Sequence, residues 1–70
     1  MIRGKKEKTM TVKDIVAHAV PLTKIRLFEE HRVVAETIVG MRDVDEDFGS
    51  YMGWEADMIT AIDNVLEVYL

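Results

Sequence analysis

The 70-residue chain contains no cysteine, and this constrains its fold more than any motif that it contains. Without cysteine, neither a disulfide nor a thiolate metal site can hold the structure together. A domain of this size buries only about 60% of the surface that its unfolded chain exposes, so the core alone gives marginal stability. Small domains without such crosslinks are often stabilised by association of subunits. We therefore expect a homodimer or a higher oligomer.

Charge is distributed unevenly along the chain. The first nine residues carry a formal charge of +3, from four basic residues and one acidic residue, and the rest carries −7, from five basic and twelve acidic residues. We expect a flexible basic leader over residues 1–9 and a single domain over residues 10–70, with Met10 as an alternative start of translation. An alternative function is nucleic-acid binding through the basic side chains of the leader. Those side chains are Arg3, Lys5, Lys6 and Lys8.

The first patterned segment predicts a short helix. Thr11 and Asp14 have the spacing of a capping box, in which each side chain accepts a hydrogen bond from the backbone N–H of the other residue. Apolar residues then recur at helical spacing over residues 12–19. Pro21 ends the helix, because a residue that precedes proline disfavours the helical conformation.

Two pairs of segments have the composition of β-hairpins. Residues 23–28 alternate in polarity and place Ile25 and Leu27 on one face. Residues 32–39 are rich in β-branched side chains, and we expect them to form the partner strand. The intervening residues suit a hairpin loop in length.

The second hairpin closes the sequence. Residues 58–62 lead into Asp63 and Asn64, which tolerate the positive φ angles of a two-residue turn, and residues 65–70 follow. The apolar residues of the last strand that face the core are Leu66, Val68 and Leu70. We therefore predict an α+β domain in which the N-terminal helix packs on an antiparallel sheet of about four strands, with a short acidic helix between the two hairpins.

Residues 43–49 are the most acidic segment and come close to a calcium-binding loop. Such loops place oxygen ligands at alternate positions and need Gly at the sixth position and Glu at the twelfth. Counted from Asp43, those positions hold Phe48 and Trp54, so the motif is incomplete. We predict no metal and no cofactor. The alternative is calcium binding by Asp43, Asp45 and Asp47.

An amphipathic helix accounts better for the acidic segment. Val44, Phe48 and Tyr51 have the spacing of one helix face, and carboxylates near its start favour the positive end of the helix dipole. Gly49 keeps this helix short, because Gly costs about 1 kcal/mol relative to Ala inside a helix. The acidic residues that we expect to face water are Asp43, Glu46 and Asp47.

Tyr51, Met52 and Trp54 form an apolar cluster next to the acidic segment. Side chains of these types are enriched in interface cores, and a rim of carboxylates attracts a basic protein. Trp54 either caps the core or contributes to an interface, and the sequence leaves both alternatives open. The predicted partner-binding residues are Asp43, Asp45, Glu46, Asp47, Tyr51, Met52 and Trp54.

The chain offers few residues for catalysis. Ser50 is the only serine and lies outside any nucleophile-elbow pattern, and the four glycines are too scattered for a phosphate-binding loop. His18 lies four residues after Asp14, which is either half of a metal site or a surface pair on one helix face. A chain of this length also leaves little room for a deep substrate cleft. We therefore predict a protein that is not an enzyme.

Three stretches give the chain a resemblance to other sequences. Met-Thr-Val-Lys-Asp-Ile begins at residue 10, Lys-Ile-Arg-Leu-Phe at residue 24, and Asn-Val-Leu-Glu-Val-Tyr-Leu at residue 64. This pattern, which covers most of residues 10–70, resembles small proteins of phages and mobile elements of Gram-positive bacteria. The resemblance implies an origin in a phage or mobile element and identifies no catalytic residue. As a separate hypothesis, we expect an accessory or counter-defence protein that binds a basic partner through its acidic face. No apolar stretch approaches the roughly 18–20 residues that span a bilayer, so we expect a cytoplasmic protein-interaction module with no membrane contact.

Overall fold

The computed structural model describes residues 10–70 and confirms the predicted α+β fold. Its helices are α1 (Val12–His18), α2 (Val44–Phe48) and a 3-10 helix (Gly49–Gly53) that continues directly from α2. Its strands are β1 (Lys24–Glu29), β2 (Arg32–Ile38), β3 (Met58–Ile62) and β4 (Val65–Tyr69). The predicted basic leader lies outside the described residues.

The strands form one sheet in the order β2-β1-β4-β3. The pairs β1–β2 and β3–β4 are the two antiparallel hairpins that the sequence predicts. The central pair β1–β4 is parallel, with Ile25 opposite Leu66 and Leu27 opposite Val68, so the sheet is mixed and not wholly antiparallel as predicted. The pairing is parallel because the chain crosses from β2 to β3 through α2 and the 3-10 helix, which brings β4 back beside β1.

Both hairpins turn through two residues with positive φ. The angles are 52° and 69° at Glu30 and His31, and 49° and 66° at Asp63 and Asn64. Positive φ at both central residues matches the twist of the flanking strands, which is why this turn geometry dominates two-residue hairpins. The prediction of a turn at Asp63 and Asn64 is confirmed.

Helix α1 begins with the predicted capping box. The Thr11 hydroxyl accepts a hydrogen bond from the backbone N–H of Asp14 at 3.3 Å, and the Asp14 carboxylate accepts one from the backbone N–H of Thr11 at 3.2 Å. The helix ends at His18, one residue earlier than predicted, because Ala19 already has an extended backbone conformation.

The core lies between one face of the sheet and the helices. The buried apolar side chains of the described residues are Val12, Ile15, Ile25, Leu27, Phe48, Ala56 and Val68. Leu66 and Leu70 are partly buried and pack against this cluster, as predicted for the last strand. Since α1 and α2 both contribute to the cluster, they cover the face of the sheet that carries Ile25 and Leu27.

Candidate protein-interaction surface

The acidic segment folds as a short helix, as predicted. Asp43 is the N-cap of α2, and its carboxylate accepts a hydrogen bond from the backbone N–H of Glu46 at 3.2 Å. This bond satisfies a backbone donor that the first turn of a helix leaves without an intrahelical partner. The helix ends at Gly49, where φ is 52°, a conformation that glycine adopts without the penalty of a side chain. Phe48 is buried in the core cluster, and Val44 and Tyr51 are partly buried and pack against the same cluster.

The prediction that Asp47 faces water is wrong. Three hydrogen bonds within the domain hold its carboxylate. Arg42 donates to it from Nε at 2.7 Å and from Nη2 at 2.9 Å, and the Thr37 hydroxyl donates to it at 2.8 Å. Only 13% of the Asp47 side chain is exposed. The hydrogen bonds from Arg42 and then from Thr37 lower the pKa of Asp47 from 3.8 to about 2. Asp47 therefore fastens α2 to β2, and its charge is neutralised within the domain.

The remaining carboxylates of the segment stay available to solvent. The side chains of Asp43, Asp45 and Glu46 are exposed, and we call these three residues the acidic surface. Within residues 10–70, none of the three forms a salt bridge. Unlike Asp47, they present charge that no basic side chain of the described domain neutralises at contact distance.

The aromatic residues that follow α2 divide between the core and the surface. Tyr51 and Met52 are half-buried and pack against the core cluster. Trp54 is 41% exposed, and its ring lies edge-on to Tyr51 with the ring centroids 5.0 Å apart. The backbone of Trp54 is fixed, because its carbonyl accepts a hydrogen bond from the N–H of Val12 at 2.9 Å. Trp54 therefore lies outside the buried core cluster.

The described residues provide no set of ligands for either of the two metal sites that the sequence leaves open. Both oxygens of Asp47 accept hydrogen bonds from Arg42, which removes this carboxylate from the calcium alternative. His18 points its Nδ1 at the backbone carbonyl of Asp14, at 2.8 Å, while the carboxylate of Asp14 accepts from the helix N-cap. Across the described part of the chain, no group of three or more His, Asp or Glu side chains could hold a metal ion.

A shallow depression of about 500 Å³ lies between the segment before β1 and the turn after β3. Its lining includes Pro21, Leu22 and Leu66, and Asp63 is the only titratable side chain among the lining residues. Thr23 adds a hydroxyl to this lining, and no histidine or second carboxylate lies among the described lining residues.

Two residues that stabilise this region were not predicted from the sequence. Thr37 and Arg42 hold Asp47, and Thr37 is the one buried polar side chain among the described residues. Arg42 carries a weak sequence signal, as the one basic residue next to four acidic ones. Thr37 carries none, because threonine is an ordinary residue in a strand.

The nucleic-acid alternative stays a prediction. Its residues, Arg3, Lys5, Lys6 and Lys8, lie outside the described residues.

None of the described helices has the length and apolar character that crossing a membrane requires. Comparison with protein-family models, curated proteins and solved structures finds no match to this chain.

Proposed function

We propose that this chain is a non-enzymatic protein-interaction module that binds a basic protein through the acidic surface and Trp54. The observation that supports the proposal is the pairing of three exposed carboxylates at the start of α2, none of which forms a salt bridge with a described residue, with a tryptophan that is 41% exposed. Carboxylates at the rim of an interface attract a basic partner and set its orientation. An exposed tryptophan supplies the apolar contact area that binding hot spots commonly use.

The anchoring of α2 supports this proposal. A five-residue helix has little stability of its own, so its orientation depends on tertiary contacts. Phe48 buries the apolar side of α2, and Asp47 ties its end to Arg42 and Thr37. The acidic surface is therefore presented on a fixed support, which reduces the conformational entropy that binding would otherwise cost.

The rest of the domain adds to the attraction of a basic partner. The described residues carry five basic and twelve acidic side chains, and the resulting field speeds encounters with basic proteins. Within this proposal, the resemblance to small phage and mobile-element proteins favours an accessory or counter-defence role in a bacterial cytoplasm. Clustered carboxylates would then compete with nucleic-acid phosphates for a basic site on the partner.

The proposal is tested by affinity capture from a lysate of Gram-positive bacteria, with two double variants that change net charge equally. D45K/E46K reverses two charges of the acidic surface and leaves the N-cap Asp43 intact. The control E30K/D57K reverses two exposed charges elsewhere. We expect the wild-type chain and the control to capture the same basic protein, and D45K/E46K to lose it.

Two outcomes contradict the proposal. Equal capture by both double variants would show that the acidic surface is not the binding site. Capture of nucleic acid that requires residues 1–9, and that weakens steeply with salt, would favour the alternative function of the leader.

A further inference from the structure

One face of the sheet is left uncovered by the described helices. Side chains alternate between the two faces of a strand, so the neighbours of the buried Ile25 and Leu27 point away from the core. Three apolar side chains on this outer face, Val33, Met58 and Ile62, are more than half exposed. The strand register arranges the outer face in three rows that run across β2, β1, β4 and β3 in that order.

The first outer row is apolar along its whole length. A β-bulge after Leu27 shifts the register of β1 and β2, so that Phe28 lies opposite Val33. The row reads Val33, Phe28, Tyr69 and Met58. The rings of Phe28 and Tyr69 are stacked, with centroids 4.8 Å apart and planes 19° apart. In this row Val33 and Met58 are exposed and the two stacked rings between them are half-buried, and a contiguous apolar stripe of this kind marks a surface that another molecule covers.

The middle row is polar and carries paired charges. It reads Glu36, Arg26, Glu67 and Thr60. Arg26 donates from Nε to Glu36 at 2.6 Å, and the hydroxyls of Thr60 and Tyr69 donate to Glu67 at 3.3 and 3.0 Å.

The third row reads Ile38, Lys24, Val65 and Ile62. With two basic and two acidic side chains, the outer face is formally neutral, although the domain carries twelve acidic side chains.

We propose that the outer face binds the outer face of a second copy of this chain, by stacking of the two sheets about a two-fold axis. The axis runs parallel to the strands and lies between β1 and β4. Such an axis places β1 opposite β4 of the partner subunit and β2 opposite its β3, and it keeps each row opposite itself. Two sheets in a β-sandwich pack in this aligned way, about 10 Å apart.

The first row and the centre of the middle row are self-complementary under this axis. Arg26 lies opposite Glu67 of the partner subunit, so the central charges meet with opposite sign, twice in each dimer. Phe28 lies opposite Tyr69 of the partner subunit, and Val33 lies opposite Met58 of the partner subunit, so that apolar side chains meet apolar ones. The neutrality of this face lets two acidic domains approach each other here with less repulsion than elsewhere.

The dimer leaves the acidic surface free, because α2 packs on the opposite face of the sheet. Twelve positions a side is fewer than the roughly 20–30 residues of a standard interface, so we expect a dissociation constant on the order of 10 µM. The proposal does not depend on the function proposed above, since dimerisation and capture of a basic protein use opposite faces of the sheet.

The sharpest test is a charge-reversal complementation measured by sedimentation velocity on the full chain. R26E alone puts two carboxylates opposite each other, and E67R alone puts two guanidinium groups opposite each other, so we expect each variant to be monomeric. An equimolar mixture restores opposite charges at both contacts, and we expect it to form a heterodimer. A mixture that stays monomeric while the wild-type chain dimerises would overturn the proposed axis.

A second pair of variants keeps the proposal testable if the charge variants fold poorly. Met58 and Ile59 are neighbours on β3, are 52% and 40% exposed, and point to opposite faces. We expect M58K to raise the dissociation constant at least tenfold and I59K to leave it unchanged, with thermal unfolding as the check on folding. The reverse result would place the interface on the other face. A wild-type chain that stays monomeric up to about 500 µM would overturn the proposal. Nucleic acid that cosediments with the wild-type chain but not with M58K would also overturn it, because nucleic acid and not a second copy would then occupy the outer face.

Discussion

Asp45 and Asp47 lie two positions apart in α2 and have different environments. Asp45 is exposed and forms no salt bridge with a described residue, whereas Asp47 accepts hydrogen bonds from Arg42 and Thr37. Thr37 is fully buried, so loss of its acceptor would leave a buried hydroxyl without this partner, which is unfavourable. One carboxylate is therefore available for a partner, and the other maintains the support that presents it.

We predict that Asp47 gives the chain part of its sensitivity to acid. Folding lowers the pKa of Asp47 from 3.8 to about 2, so its contribution to stability is complete above the ordinary pKa and is lost as the pH falls towards 2. D47N should lower the midpoint of thermal unfolding at neutral pH and should flatten its decline between these pKa values. The control D45N changes an exposed carboxylate on the same helix that forms no salt bridge with a described residue, and it should leave the midpoint at neutral pH close to that of the wild-type chain. Equal slopes for D47N and the wild-type chain would contradict this account.

At the scale of single elements, most boundaries follow from local chemistry. The capping box starts α1, the positive φ of Gly49 accompanies the end of α2, and paired positive φ angles form both hairpin turns. These features depend on residues close together in sequence, which is why the sequence predicts them well. The role of Thr37 was not predicted, because its partner Asp47 is ten residues away and on another element.

Helix α1 offers a direct test of such local control. T11A removes the side-chain acceptor of the N-cap and should lower the free energy of unfolding by about 1 kcal/mol. The control K13A changes an exposed residue of the same helix and should stay within about 0.5 kcal/mol of the wild-type chain. Urea denaturation followed by circular dichroism measures both values. An equal loss in the two variants would show that the capping box does not stabilise α1.

For the molecule as a whole, the sequence predicts well which faces of the strands are buried. It predicts poorly which strands are neighbours in the sheet. Alternation places Ile25, Leu27 and Val68 on the core face, and all three are buried. Alternation gives no information on strand order, so we predicted a wholly antiparallel sheet, whereas β1 and β4 pair in parallel. That pairing brings Phe28 beside Tyr69 on the outer face, where sequence analysis identified no surface.

In the proposed function, the acidic surface attracts a basic protein. The association rate of the captured partner can be measured with the wild-type chain, D45K/E46K and E30K/D57K, at low and at high salt. We predict that D45K/E46K associates at least tenfold more slowly than E30K/D57K at low salt, and that added salt narrows the difference, because it screens exposed charges. Equal rates for the two double variants at low salt would contradict the claim.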